Sequence, residues 1–424
     1  MYRLKRSTHA VRAAALVGAV ALALTACASS AAEEPAEETT EEAASEASPL
    51  LVGSILPQTG SLAFLGPPEI AGVNLAIDEI NEAGGVLGAD VEHIAADSSD
   101  ADHAEVATQS ATDLIGQGVS VIIGAASSAV TRNIVDDITN NEIVQISPAN
   151  TATDLSGKDP FYFRTAPSDL IQGAALGNLI LNDGYSRVGV LVFNEDYGTS
   201  LRDVLQGVLE GAGAEITYGT EGEEFDPTST SFADPVTAVL ATNPEAIAVI
   251  AFDQTKSIVP ELAGAGFDTS KLYFVDGNLS DYSADLAPGT LEGAQGTLPG
   301  AFPDDAFQER LLAIDPELKD FSYAAESYDA VMLAALAAVK GGATDGPTIQ
   351  ANMAAVSGVD GGTECSGFVE CIELIEAGEE IDYAAVSGAG PFNENNDPSS
   401  AFIGIYQYGP ENTYTWIKAE QGSL

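Results

Sequence analysis

The chain has 424 residues, with 15 Lys and Arg against 64 Asp and Glu, a formal net charge of -49 and 45% hydrophobic residues. That imbalance excludes a polyanion such as nucleic acid as a partner, because binding phosphates needs basic surface. The apolar share is enough for the cores of about two to three domains, while the only histidines, His9, His93 and His103, leave little material for a metal centre or a Ser-His pair.

Residues 1–26 read as an export signal, with Arg3, Lys5, Arg6 and Arg12 ahead of an apolar run at 13–24. The run is too short to span a bilayer comfortably. It closes with Leu24-Thr25-Ala26-Cys27, which resembles the lipobox of bacterial lipoproteins, where the cysteine is acylated and becomes the first mature residue. An ordinary cleavage site with a chance cysteine is the plainer alternative. Residues 27–48 consist largely of Ala, Glu, Thr and Ser, cannot bury enough apolar surface to fold, and read as an acidic disordered tether. Removal of the signal leaves 11 basic residues against 64 acidic ones.

From Leu50 onward, near-continuous apolar runs at 51–56, 119–124, 143–147, 188–193, 246–252 and 272–275 predict strands buried on both faces. Segments of helical period lie between them, at 68–81, 104–117, 129–140, 170–181, 201–211, 232–241 and 257–264. Ile70, Val73, Ile77 and Ile80 show that period. The alternation predicts α/β architecture with parallel sheets, in two successive series, about 51–164 and 186–298. A helical stretch at 321–340 and a strand pair at 401–408 and 414–418 follow, with Tyr406, Tyr408, Tyr414 and Trp416 expected to pack the final strands. Cys365 and Cys371, with five residues between them in an exported chain, predict a disulfide; a thiol catalyst or metal pair is the sharper alternative.

Ligands of open α/β sheets bind beyond the carboxyl ends of the strands, so the loops after strands carry the candidates. Gly124-Ala125-Ala126-Ser127-Ser128 opens a helix, where unpaired N–H groups and the helix dipole favour an anion; an ordinary Ser N-cap fits equally. Ser147-Pro148-Ala149-Asn150-Thr151 offers further hydroxyl and backbone donors. In the second series Tyr197, Asp253 and Asp276 follow strands, Asp253 also being suited to capping the next helix. Two carboxylates opposite two donor-rich turns suit a zwitterion. The acidic stretch 97–103 lacks the Gly and Glu that would complete an EF-hand, and the chain has no Gly-rich phosphate loop for ATP hydrolysis.

Taken together, Gly53-Ser54-Ile55-Leu56-Pro57-Gln58-Thr59-Gly60, residues 76–88, Ile123 to Ser128, Ile146 to Thr151 and Asp196-Tyr197-Gly198 resemble the type I periplasmic binding proteins, within them the branched-chain amino acid receptors of ABC transporters. The resemblance implies two doubly wound parallel-sheet lobes joined by a three-stranded hinge, residues 49–166 plus 300–390 forming one lobe and 167–299 plus 391–424 the other. It implies a carboxylate site at Ser127, Ser128, Ala149 and Thr151, with Tyr197 near the ligand, Asp276 on its ammonium and Phe64 as a wall. Asp253 falls where that family often has Tyr, which leaves polar or cationic ligands open. The expected protein is a monomeric lipid-anchored solute receptor outside the cell, without enzymatic activity or cofactor, delivering an amino acid or related zwitterion to ABC permease subunits. A sensory module of the same fold, for amides, urea or small cations, is the alternative.

Overall fold

The computed structural model describes residues 48–423; the signal, Cys27 and the tether up to Ala47 lie outside the described residues. The chain begins with β1 (Leu51–Leu56), α1 (Gly66–Glu82), β2 (Glu92–Asp97), α2 (Ala104–Gln117), β3 (Val121–Gly124), α3 (Ser128–Thr139), β4 (Val144–Ser147) and β5 (Tyr162–Arg164). It continues through α4 (Asp169–Asn182), β6 (Arg187–Val192), α5 (Asp196–Gly211), β7 (Glu215–Tyr218), α6 (Ala233–Ala241), β8 (Ala246–Ile250), α7 (Thr255–Gly264), β9 (Leu272–Phe274) and β10 (Gln295–Pro299). A return section holds α8 (Asp305–Ile314), α9 (Ala324–Gly341), α10 (Gly346–Val356), β11 (Thr363–Cys365), α11 (Gly367–Glu376) and β12 (Ile381–Tyr383), before the hairpin β13 (Ser400–Tyr408) and β14 (Tyr414–Ser423).

Two main sheets result. The first is parallel, in the order β2-β1-β3-β4-β5. The second runs β14-β13-β10-β9-β8-β6-β7, parallel from β10 to β7 and antiparallel through the hairpin. Both are α/β sheets of the expected kind. The central strands β3, β4 and β8 are buried along their whole length, which is why their sequences are unbroken apolar runs. β2 falls outside the predicted strands, since its sequence EHIAAD is that of a mixed, half-exposed edge strand.

The return section gives the first sheet one of its helical faces. α9 is rich in Ala and almost wholly buried, packed between α1 and α10. Gly72 makes that closeness possible: a Cβ there would lie 2.2 Å from the carbonyl oxygen of Ala324. Cys365 and Cys371 form a disulfide with Cα atoms 5.3 Å apart, joining the end of β11 to α11.

The chain passes between the sheets three times, after β5, after β10 and before β13. A buried ion pair sits at the first and third passages, Arg164 Nε and Nη2 donating to the two carboxylate oxygens of Asp397 at 2.6 and 2.7 Å. Arg164 also donates to the carbonyl of Ala152 at 2.9 Å, tying the loop after β4 to this junction.

Candidate functional site

Each sheet has a switch point, β1/β3 in the first and β6/β8 in the second, where successive connections leave in opposite directions. Loops diverge there and leave a crevice at the carboxyl ends of the strands. Those two crevices meet. One small cavity of about 20 Å³ is lined from the first sheet by Leu62 and Leu65 after β1, by Ala126, Ser127 and Ser128 after β3, and by Ala149, Asn150 and Thr151 after β4. From the second sheet come Tyr197 after β6, Phe252 after β8, and Asp276 and Gly277 after β9, with Tyr323 closing the wall from the start of α9.

The donor side is built by short-range sequence logic. Gly124 has φ +121° and a Cβ there would fall 2.1 Å from the carbonyl of Ile55, so only glycine lets the chain turn out of β3 beside β1. Ser127 then caps α3, its Oγ accepting from the Val130 N–H at 3.3 Å. Ser128 Oγ accepts from the Ala152 N–H at 3.4 Å, which leaves its own proton for another acceptor. Ser147 and Asn150 brace the loop by donating to the carbonyl of Ala125 at 2.7 and 3.1 Å. Thr151 is fully buried, and its hydroxyl has no hydrogen-bond partner among the described residues.

The acid side centres on Asp276. Its Oδ1 accepts from the Tyr197 hydroxyl at 2.5 Å and Gln172 Nε2 at 2.8 Å, and its Oδ2 from the Tyr323 hydroxyl at 2.7 Å. Burial raises the Asp276 pKa, while these three donors stabilise the charged form. Burial, reinforced by the neighbouring carboxylate, pushes both tyrosine hydroxyls well above their ordinary range, so they stay protonated donors. Asp169, at the start of α4, is a further buried acid near this group; burial lifts its pKa to about 7, with the nearby Thr151 and Ser200 hydroxyls pulling it down.

Six of the expected residues, Ser127, Ser128, Ala149, Thr151, Tyr197 and Asp276, line this one cavity. Asp253 does not join them. It is exposed and pairs with Lys256 at 3.1 Å, and the capping position falls one residue later, on Gln254, whose side chain makes no capping bond. The aromatic beside Asp253 is Phe252, stacked on Tyr197 with ring centroids 5.6 Å apart. Phe64 borders a larger adjoining cavity of about 320 Å³ instead of the small one. Tyr406 and Tyr414 line that larger space too, so they are more than packing for the last strands; Tyr408 is buried as expected, and Trp416 is exposed.

Tyr323 and Gln172 are site residues that the sequence does not disclose. Tyr323 stands 47 residues from Asp276, and its backbone takes φ +59° at the N-cap of α9. A bulky residue in the left-handed region is an uncommon, strained choice, of the sort found at functional positions. Nothing in the local pattern announces it. The acidic stretch after β2 shapes the loop that carries Leu62 and Leu65. Asp97 accepts from the Gln58 and Thr59 N–H groups at 3.0 and 3.2 Å, and Asp100 from the Ser61 N–H at 2.9 Å.

The sheets also touch around the cavity mouth. Ser200 Oγ of α5 accepts from the Thr153 N–H at 3.0 Å, and Arg132 of α3 pairs with Asp196 at the start of α5. Together with the Tyr323–Asp276 bond these contacts hold the halves closed.

Residues 49–371 match the family model described as periplasmic binding protein. The chain belongs to the periplasmic binding protein family. The architecture is that of its type I members with branched-chain amino acid receptors among the relatives. Similar over most of its length is the chemotactic signal transduction system substrate-binding protein BasB of Halobacterium salinarum, 27% identical across 84% of this chain and 86% of that protein. A leucine-, isoleucine-, valine-, threonine- and alanine-binding protein of Pseudomonas aeruginosa is 30% identical across 38% of this chain and 43% of its own. The branched-chain amino acid transporter substrate binding protein LivJ of Streptococcus pneumoniae, solved with isoleucine, superposes with a TM-score of 0.72 at 23% identity, covering 89% of this chain and 100% of that one. At that identity the likeness to LivJ speaks to the fold.

Proposed function

We propose that this chain is the extracytoplasmic solute receptor of an ABC importer, clamping an amino acid or related zwitterion between its two lobes. The observation that carries the reading is one cavity that holds a buried, unpartnered Thr151 hydroxyl from one lobe and the buried Asp276 carboxylate from the other. Ser128 and Thr151 would hydrogen-bond the ligand carboxylate, and Asp276, held by Tyr197, would take the ammonium. Each bond is charge-assisted, and a compound lacking either group leaves a buried partner unpaired. Leu62, Leu65 and Phe252 offer apolar surface to a short aliphatic side chain, in keeping with the branched-chain amino acids named for the Pseudomonas relative.

The free space in this closed arrangement is about 20 Å³, the scale of a single water molecule, so a ligand enters with the lobes apart and they then close around it less tightly than here. Closure on the ligand is then the signal a permease reads, provided the ligand prefers the closed form. The protein acts as a monomer without cofactor or catalytic step, and attachment through an acylated Cys27 would keep it at the outer face of the membrane. The likeness to BasB favours a second reading, in which closure is reported to a chemotactic receptor. A thermal-shift panel of amino acids, amides and small cations tests the reading, since a ligand of the folded state raises its melting temperature. We expect stabilisation by one or more L-amino acids; a panel in which no amino acid raises it would reject the proposal.

A further inference from the structure

Beyond Tyr323 lies the larger cavity, about 320 Å³, which shares that ring with the small one and so adjoins the ligand cleft directly. Its chemistry differs. Phe64, Phe302, Tyr406 and Tyr414 supply aromatic faces, and Glu326 and Asp320 supply carboxyl groups. Glu326 is 3% exposed, and its Oε1 has no hydrogen-bond partner among the described residues. It cannot swing away easily, because Gly300 packs against that oxygen so closely that a Cβ there would lie 2.1 Å from it. Asp320 takes its bonds from Ser322, from the N–H at 2.8 Å and the hydroxyl at 2.6 Å. Lys319 is exposed at the rim and forms no ion pair among the described residues. Glu69, fully buried with both oxygens unpartnered among the described residues, does not line this cavity.

We infer that this cavity is a subsite for an organic cation, the distal ammonium or guanidinium group of a bound dibasic amino acid. The inference rests on the proposed amino-acid reading of the cleft and names the class of side chain it accepts. Three features argue for it. A buried carboxyl oxygen without a donor is costly to leave so, and a cationic donor is a partner that satisfies it. Aromatic faces attract ammonium and guanidinium groups through their quadrupoles, most strongly away from water. The volume is what the cleft itself lacks: with the α-carboxylate at Thr151 and the ammonium at Asp276, a four-carbon side chain directed along the Tyr323 ring, which borders both spaces, would end in the larger cavity.

The test is calorimetry on the full chain with L-lysine and L-norleucine, which share a carbon skeleton and differ by the terminal ammonium group. We expect lysine to bind more tightly than norleucine. Glu326→Gln, which keeps the shape of the side chain, should weaken lysine about tenfold or more while norleucine changes less than about twofold. Phe302→Ala, at an exposed rim position, should weaken lysine severalfold with the same selectivity. Norleucine binding as tightly as lysine, or Glu326→Gln weakening both equally, would overturn the subsite and leave the amino-acid cleft standing. If neither amino acid binds, n-butylammonium separates the two ideas: a binding heat abolished by Glu326→Gln supports the cation subsite, and no heat overturns it, the cleft itself being judged by the amino-acid panel.

Discussion

Thr151 and Asp276 make unequal demands on the folded state, and that inequality gives two separable predictions. The Thr151 hydroxyl is buried without a hydrogen bond of normal geometry and only faces the Asp169 carboxyl, so Thr151→Val should change the stability of the ligand-free protein little. Ligand affinity should nevertheless fall by about 1–3 kcal/mol, because the carboxylate loses a donor. Asp276 instead collects three donors in the ligand-free protein. Asp276→Asn should cost affinity by about 2–5 kcal/mol, the scale for truncating a buried charged partner, and should lower the melting temperature as well. Paired thermal-shift and calorimetric titrations of the two variants check both. The sequence made Ser128, Thr151, Tyr197 and Asp276 visible because each follows a strand in a recognisable local pattern. Tyr323 and Gln172 reach Asp276 from positions 47 and 104 residues away, and no local pattern encodes such a meeting.

At the scale of elements, the strongest apolar runs became the central strands, while the edges and the return section were less legible. β2 and β7 are half exposed, and their mixed sequences carry little periodic signal. α10 and α11 lie in a region where Gly and short loops blur the helical period, and the placement of the whole section against α1 is set by packing that only the fold reveals. The Arg164–Asp397 pair belongs to this scale because it joins residues 233 apart at two passages between the sheets. Both partners are buried, so Asp397→Ala strands a guanidinium without its counter-charge. We expect a loss of about 3–5 kcal/mol in denaturant unfolding, against far less for Asp253→Ala, whose partner Lys256 is solvent-exposed.

The whole molecule carries a set of buried acids whose pKa values are raised chiefly by burial: Asp169 and Glu195 to about 7, with Glu69, Glu326, Asp276 and Asp329 also shifted upward. An acid raised on folding binds more protons in the native state than in the unfolded chain, so stability falls as pH rises from the unfolded pKa near 4 through the folded one. The acids shifted downward, such as Asp97 and Glu224, titrate below that window and act in the opposite sense there. Unfolding free energy should therefore decline between pH 5 and about 7.5, at up to about 1.4 kcal/mol per pH unit for each such acid, with melting temperature falling alongside, and Asp169→Asn should flatten the decline.

Closure involves few polar bonds in this molecule, and one of them, Tyr323 to Asp276, joins the lobes at the cavity itself. A ligand ammonium must share the same carboxylate, so binding energy and lobe closure are coupled at one atom group. The most direct measurement of that idea is calorimetry with L-leucine beside 4-methyl-2-oxopentanoate, the same skeleton without the ammonium, on wild type and Asp276→Asn. The account predicts that wild type strongly prefers leucine and that the variant loses most of the preference. Equal affinity of wild type for the two compounds, or an undiminished preference in Asp276→Asn, would contradict it.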